Sequence, residues 1–225
     1  MRYLTAFLLA AGLTAAADAH FVFVYADGPD AKLVFGHAPA PDPDLFPARA
    51  EKTVLTARDA AGKETKLTVE KGAGNFFRAK LPAGAVVVLG VTEAGVTQRG
   101  DAPPVLSWYY PKTIVGDPFA ADRAGAKALD VVPVRDGDKV RFRVVADGKA
   151  VADAEVTVGR PGAGEDKSPV VKTDKDGLTP GFAERGRYAV AARRVEARAG
   201  EFGGKSYTAV RHTATLVCDV PGPAR

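Results

Sequence analysis

From His20 to Val220, apolar and polar side chains tend to alternate one by one, and turn residues interrupt the alternation every several positions. That is the repeat of a strand with one buried face. An amphipathic helix would space its apolar residues three and four apart. "HFVFVY" (20–25) and "KLVFGH" (32–37) flank Ala26-Asp27-Gly28-Pro29-Asp30. "KTVLTARD" and "KETKLTVE" flank Ala60-Ala61-Gly62, and "NFFRAKL" follows Lys71-Gly72-Ala73-Gly74. "AVVVLGVTE" (85–93) is apolar enough for a buried strand, and "VLSWYY" (105–110) closes the first half. With 24 Gly and 16 Pro in 225 residues, the punctuation suits short strands and turns. The predicted fold class is all-β.

Residues 116–127 belong to a Pro-, Gly- and Ala-rich stretch without alternation and are read as a linker. The strand pattern then restarts with "LDVVPV" (129–134). In the next strand Val140, Phe142 and Val144 share one face, with Arg141 and Arg143 on the other. A chain this long can build two cores of about 100 residues each. Two β-sandwich domains with separate sheets are therefore expected, at 20–115 and 128–220, with a tail at 221–225. About seven short strands in the second fit an immunoglobulin-like or transthyretin-like sandwich.

Residues 1–19 have the pattern of a signal peptide. Arg2 supplies the positive start, "YLTAFLLAAGLTAAA" is an apolar run short for a membrane span, and Ala17-Asp18-Ala19 is an A-x-A cleavage site. Cleavage after Ala19 would leave a soluble periplasmic or secreted protein, without a mature membrane span, that begins at His20.

Several function classes lack their chemistry. Lys and Arg (31) are interspersed with Asp and Glu (27), which argues against nucleic acid as a partner. The densest basic run carries Arg185, Arg187, Arg193, Arg194 and Arg198 and is read as exposed hairpin charge. "AGEFGGKS" (199–206) imitates a phosphate loop, but an alternating strand follows it where a helix is required, so no nucleotide is expected. "TDKDG" fails the calcium-loop spacing and is read as a turn at Asp176-Gly177. The single cysteine, Cys218, allows no internal disulfide. It lies six residues from His212, roughly 20 Å along a strand, too far for a thiol–imidazole dyad. No catalytic residue is assigned, and the protein is read as a non-enzyme.

The chain has three histidines, His20, His37 and His212. If the first two strands pair about Gly28-Pro29, Tyr25 faces Lys32 and His20 faces His37. Opposed residues have Cβ atoms about 4.5–5.5 Å apart, within reach of one ion, although a one-residue slip would separate them. Cleavage before His20 would add its α-amine, which can close a six-membered chelate with the ring Nδ1. His212 is the third candidate ligand and joins only if the two halves pack suitably. It shares a strand face with Val210, Ala214, Leu216 and Cys218, so a hydrogen-bonded core histidine is its plainer role.

"DGKAVADAEVTV", "KTDKDG" and "GRYAVAA" resemble the carboxypeptidase-regulatory-like and collagen-adhesin B-type sandwich modules, with Ala150 where proline is common. From "AHFVFV" to "YTAVRHTATLV", the chain resembles an exported bacterial domain-of-unknown-function family often labelled NikM-like nickel or cobalt uptake components. That resemblance implies metal uptake or handling and a membrane transport component as partner. The amine–imidazole arrangement is similar to the histidine brace of exported copper proteins. The leading expectation is an exported, soluble protein that binds a transition metal, copper or nickel. The alternatives are an extracytoplasmic protein- or glycan-interaction module with no metal site, and a copper oxidase or monooxygenase.

Overall fold

A computed structural model describes residues 20–120, 123–126, 128–160 and 168–222. The expected signal peptide, residues 1–19, and the end of the expected tail lie outside the described residues. The first half contains β1 (Phe21–Asp27), β2 (Asp30–Gly36), β3 (Val54–Asp59), β4 (Glu64–Lys66), β5 (Glu70–Lys71), β6 (Phe77–Lys80), β7 (Ala85–Thr97) and β8 (Val105–Ile114). The second contains β9 (Asp130–Asp136), β10 (Lys139–Ala146), β11 (Lys149–Ala150), β12 (Glu155–Gly159), β13 (Val170–Lys172), β14 (Gly186–Glu196), β15 (Gly200–Phe202), β16 (Lys205–Tyr207) and β17 (Ala209–Val220). Among the described residues the helical structure is one 3-10 turn, Ala48–Ala50, and no helix is long and apolar enough to cross a membrane.

The chain is all-β and sandwich-like, as its period predicts. The two halves, expected to carry separate sheets, are joined by one. β17 pairs in parallel with β8 from Ala209 opposite Val105 to Val217 opposite Thr113, which completes an eight-stranded sheet ordered β13-β12-β14-β17-β8-β7-β3-β4. The physical reason is the strand edge. Once β8 has paired with β7, and β17 with β14, each has one unpaired row of backbone N–H and C=O groups. Both strands are largely buried, so those rows need a partner other than water, and each satisfies the other.

Two smaller sheets cover opposite faces of the shared sheet. On β17, Ala214, Leu216, Cys218 and Val220 pack with Phe142, Val144 and Tyr188 beneath the sheet β11-β10-β9. Val217 points the other way and packs with Phe21, Phe23 and Tyr25 of the sheet β1-β2-β6-β5. Val87 and Val88 of β7 divide between the two sides in the same manner. The period of two makes this possible, since neighbouring residues serve different cores.

β1 lies where the halves meet. Val22 and Val24 enter a core with Leu55, Val88 and Tyr109, while Phe21, Phe23 and Tyr25 meet Ala191 and Val217 of the second half. Thr215 Oγ1 donates to the Val22 carbonyl at 2.7 Å. Burial on both sides accounts for the unbroken apolar run "FVFVY". It also holds His20, the residue before β1, at the junction of the halves.

A buried ion pair pins the segment that leads into the second half. Lys112 Nζ on β8 lies 2.5 Å from Asp130 Oδ1 at the start of β9, and both side chains are buried. Lys112 also donates to the Arg123 carbonyl at 3.0 Å. Asp130 accepts from the backbone N–H groups of Gly125 at 2.6 Å and Val131 at 2.8 Å. Gly125 permits this approach, because a Cβ there would lie 2.7 Å from Asp130 Oδ1.

Candidate metal centre

The first hairpin has the register that its turn predicts. Gly28 adopts φ +58, the left-handed conformation that two-residue hairpin turns require. Tyr25 then pairs with Lys32 and Phe21 with Gly36. One step further along the same register, His20 stands opposite His37. Their ring centroids are 4.1 Å apart with 43° between the planes. The His20 ring also stacks on Phe35 at 5.5 Å, and Phe35 meets Tyr109 edge-on at 6.4 Å. The pair is half open, with His20 partly buried and His37 exposed.

The side-chain donors at this point are two imidazoles. Among the described residues, no group of three or more His, Cys, Asp and Glu side chains is placed to hold an ion. The donor set suits a nitrogen-seeking transition metal and not Ca²⁺ or Mg²⁺, which need carboxylate and carbonyl oxygen. A third nitrogen would have to come from the backbone amine of His20.

His212, the third sequence candidate, does not join the pair. It sits on β17 next to Thr213, whose side chain lines the cleft that His20 borders. Alternation turns His212 to the opposite face of the shared sheet. There its Nδ1 is 2.9 Å from the Tyr110 hydroxyl and its Nε2 is 3.6 Å from Glu196 Oε2. Burial pushes the Tyr110 hydroxyl up to about 12, so it stays protonated and available to donate. Burial holds His212 below the ordinary histidine range, against the opposing pull of Glu196. This is the hydrogen-bonded core histidine that its strand neighbours suggested.

The sign of that depression gives a stability prediction. A base whose folded pKa is lowered binds protons more readily in the unfolded chain, so its contribution is complete above the unfolded pKa of about 6.5 and is lost as pH falls through the lower folded value. Thermal melts should show stability declining below about pH 6.5. His212→Phe should remove that component of the decline, and at pH 7 should cost about 1–3 kcal/mol for the abandoned Tyr110 hydroxyl. An unchanged pH profile in the variant would contradict the role assigned to His212.

Beside His20 a cleft of about 510 Å³ opens between the halves. Arg49 from the 3-10 turn, Arg99 from the β7–β8 connection, Arg193 from β14 and Arg211 from β17 line it, with Tyr109 and Thr213. Among the described residues none of these four arginines makes an ion pair. The basic run read as exposed hairpin charge therefore divides in two. Arg187, Arg194 and Arg198 pair with Asp219, Asp147 and Glu196, and Arg185 donates to the Asp138 carbonyl. Arg193 instead faces inward with Ala191, its guanidinium carbon 4.7 Å from the Phe21 ring centroid. Strand parity could have separated it from Arg194. The convergence with Arg49, Arg99 and Arg211 has no local signal.

The remaining motifs have structural places. Gly200–Phe202 and Lys205–Tyr207 form a hairpin about Gly203-Gly204, the segment that imitated a phosphate loop. Asp174 Oδ1 accepts from the N–H groups of Asp176 and Leu178, both at 2.9 Å, which builds the turn of "TDKDG". Cys218 is buried, and burial pushes its thiol up to about 12, away from any nucleophilic role.

No family model and no curated protein match this chain. Among solved structures, it is similar to a pullulanase from Anoxybacillus sp. LM18-11 at 18% identity, over 84% of this chain and 27% of the pullulanase, with a TM-score of 0.21. A two-domain fibronectin type-III segment of chicken tenascin is similar at 13% identity, over 86% of this chain and 97% of that segment, with a TM-score of 0.20. A tetra-tandem repeat from the extending region of a large adhesion protein is similar at 12% identity, over 89% of this chain and 50% of the repeat, with a TM-score of 0.23. Likeness at this level carries no conclusion about what the chain binds or does.

Proposed function

We propose that this is an exported, non-enzymatic protein that binds one transition-metal ion, copper or nickel, through His37 and through the imidazole and free α-amine of His20 after cleavage of residues 1–19. The observation that supports it is the approach of the His20 and His37 rings to 4.1 Å at the open end of the first hairpin. Metal–imidazole bonds run about 2.0–2.1 Å, so small ring rotations suffice to aim both at one ion. The neighbouring guanidiniums oppose a positive ion, so binding would depend on nitrogen coordination and not on general charge attraction. That favours Cu²⁺ over the other divalent ions in vitro, whichever metal the cell supplies.

Protein recovered from an exporting host tests the reading. Its intact mass should correspond to a start at His20, and calorimetry with Cu²⁺ should give one ion per chain. Protons compete with the metal for the amine and for both imidazoles, so affinity should fall as pH drops. A mature start elsewhere, together with no copper binding, would reject the reading in favour of an extracytoplasmic protein- or glycan-interaction module.

A further inference from the structure

We propose that the cleft beside His20 is a binding site for a small anion that carries two or more carboxylate or phosphate groups, held by Arg49, Arg99, Arg193 and Arg211. The four arginines come from four separate segments of both halves, so no run of sequence explains their meeting. Their like charges repel, and among the described residues no ion pair offsets them. Glu155, the cross-strand neighbour of Arg193 on β12, makes none with it.

Arg193 carries the argument furthest. Its Nε is buried and, among the described residues, has no hydrogen-bond partner. A donor left so is costly unless a ligand supplies the acceptor. The contact with Phe21 already fixes the guanidinium, so little freedom is lost on binding. Burial, and then the charges of Arg211 and Arg99, press Arg193 below its ordinary range, a strain that a bound anion would relieve. Guanidinium forks match carboxylate and phosphate oxygens two at a time.

Size sets the class of ligand. A volume of about 510 Å³ is within the range of small-molecule sites and exceeds what a single chloride or sulfate would fill. Several guanidiniums around such a volume suit several separated anionic groups on one small molecule.

The test uses metal-free mature protein, with tricarballylate as the polycarboxylate probe and pyrophosphate as the phosphate probe, each followed by calorimetry. At least one should bind in low salt and weaken as salt is added. Arg211→Gln and Arg99→Gln should each reduce its affinity about tenfold, since each removes a charge-assisted contact. Arg99 is exposed, so its variant tests the site without disturbing the core. Comparison of the two probes assigns the carboxylate or phosphate class. His37→Ala should leave anion binding intact while copper binding is lost, so the two proposals fail separately. The proposal is overturned if neither probe binds at millimolar concentration, or if both arginine variants bind as the parent does. Tight binding of polyglutamate with neither small probe bound would overturn it in favour of an acidic macromolecule.

Discussion

Lys112→Met should destabilise the fold by about 3–5 kcal/mol, a large share of the total stability of an ordinary domain. The substitution leaves the Asp130 carboxylate buried with its cation removed. Two backbone N–H groups, from Gly125 and Val131, still reach it, but they do not replace a full charge. The pair also joins the shared sheet to the first strand of the second half, so its loss should loosen the seating of β9. A double-mutant cycle isolates the effect. Lys112→Met with Asp130→Leu should cost less than the sum of the single changes, because no charge is stranded. It should still cost something, since Gly125 and Val131 lose their acceptor. Urea unfolding measures all three. Strict additivity would mean that the two groups do not depend on each other.

His37→Ala, and separately one extra alanine before His20, should each weaken copper binding by more than about 100-fold. Changes to groups that merely support a ligand cost about 10–100-fold, and on the proposed reading each of these changes would remove a ligand outright. The added residue converts the His20 amine into an amide, which has no lone pair to offer unless it is deprotonated. The imidazole of His20 and the whole hairpin stay as they were. His212→Ala should leave copper affinity unchanged, because that ring lies on the other face of the shared sheet.

The parts of this molecule that were legible in the sequence are local. The turn at Gly28-Pro29 and the alternation on either side fix a register, and the register places His20 opposite His37. The residues that share a strand face with His212, namely Val210, Ala214, Leu216 and Cys218, make a core histidine its plainer role, although the sequence also leaves it a candidate third ligand. The parts that were not legible depend on segments far apart. Nothing in "VLSWYY" or "YTAVRHTATLV" says that they pair in parallel, because parallel pairing leaves no turn between the strands to announce it. The unbroken apolar run of β1 marks a strand buried on both faces, but nothing in it says that the second half covers one of them. Arg49, Arg99, Arg193 and Arg211 look like ordinary surface charge in four unrelated contexts. Only the junction of the halves makes them one cleft.

Electron paramagnetic resonance of one equivalent of Cu²⁺ bound to protein that begins at His20 tests the central claim most directly, beside the same protein carrying one additional N-terminal alanine. The account predicts a tetragonal spectrum with nitrogen couplings from three ligands in the first sample, and loss of that spectrum in the second. The same spectrum and affinity in both would contradict it, and would leave the two histidines as neighbours in a hairpin and nothing more.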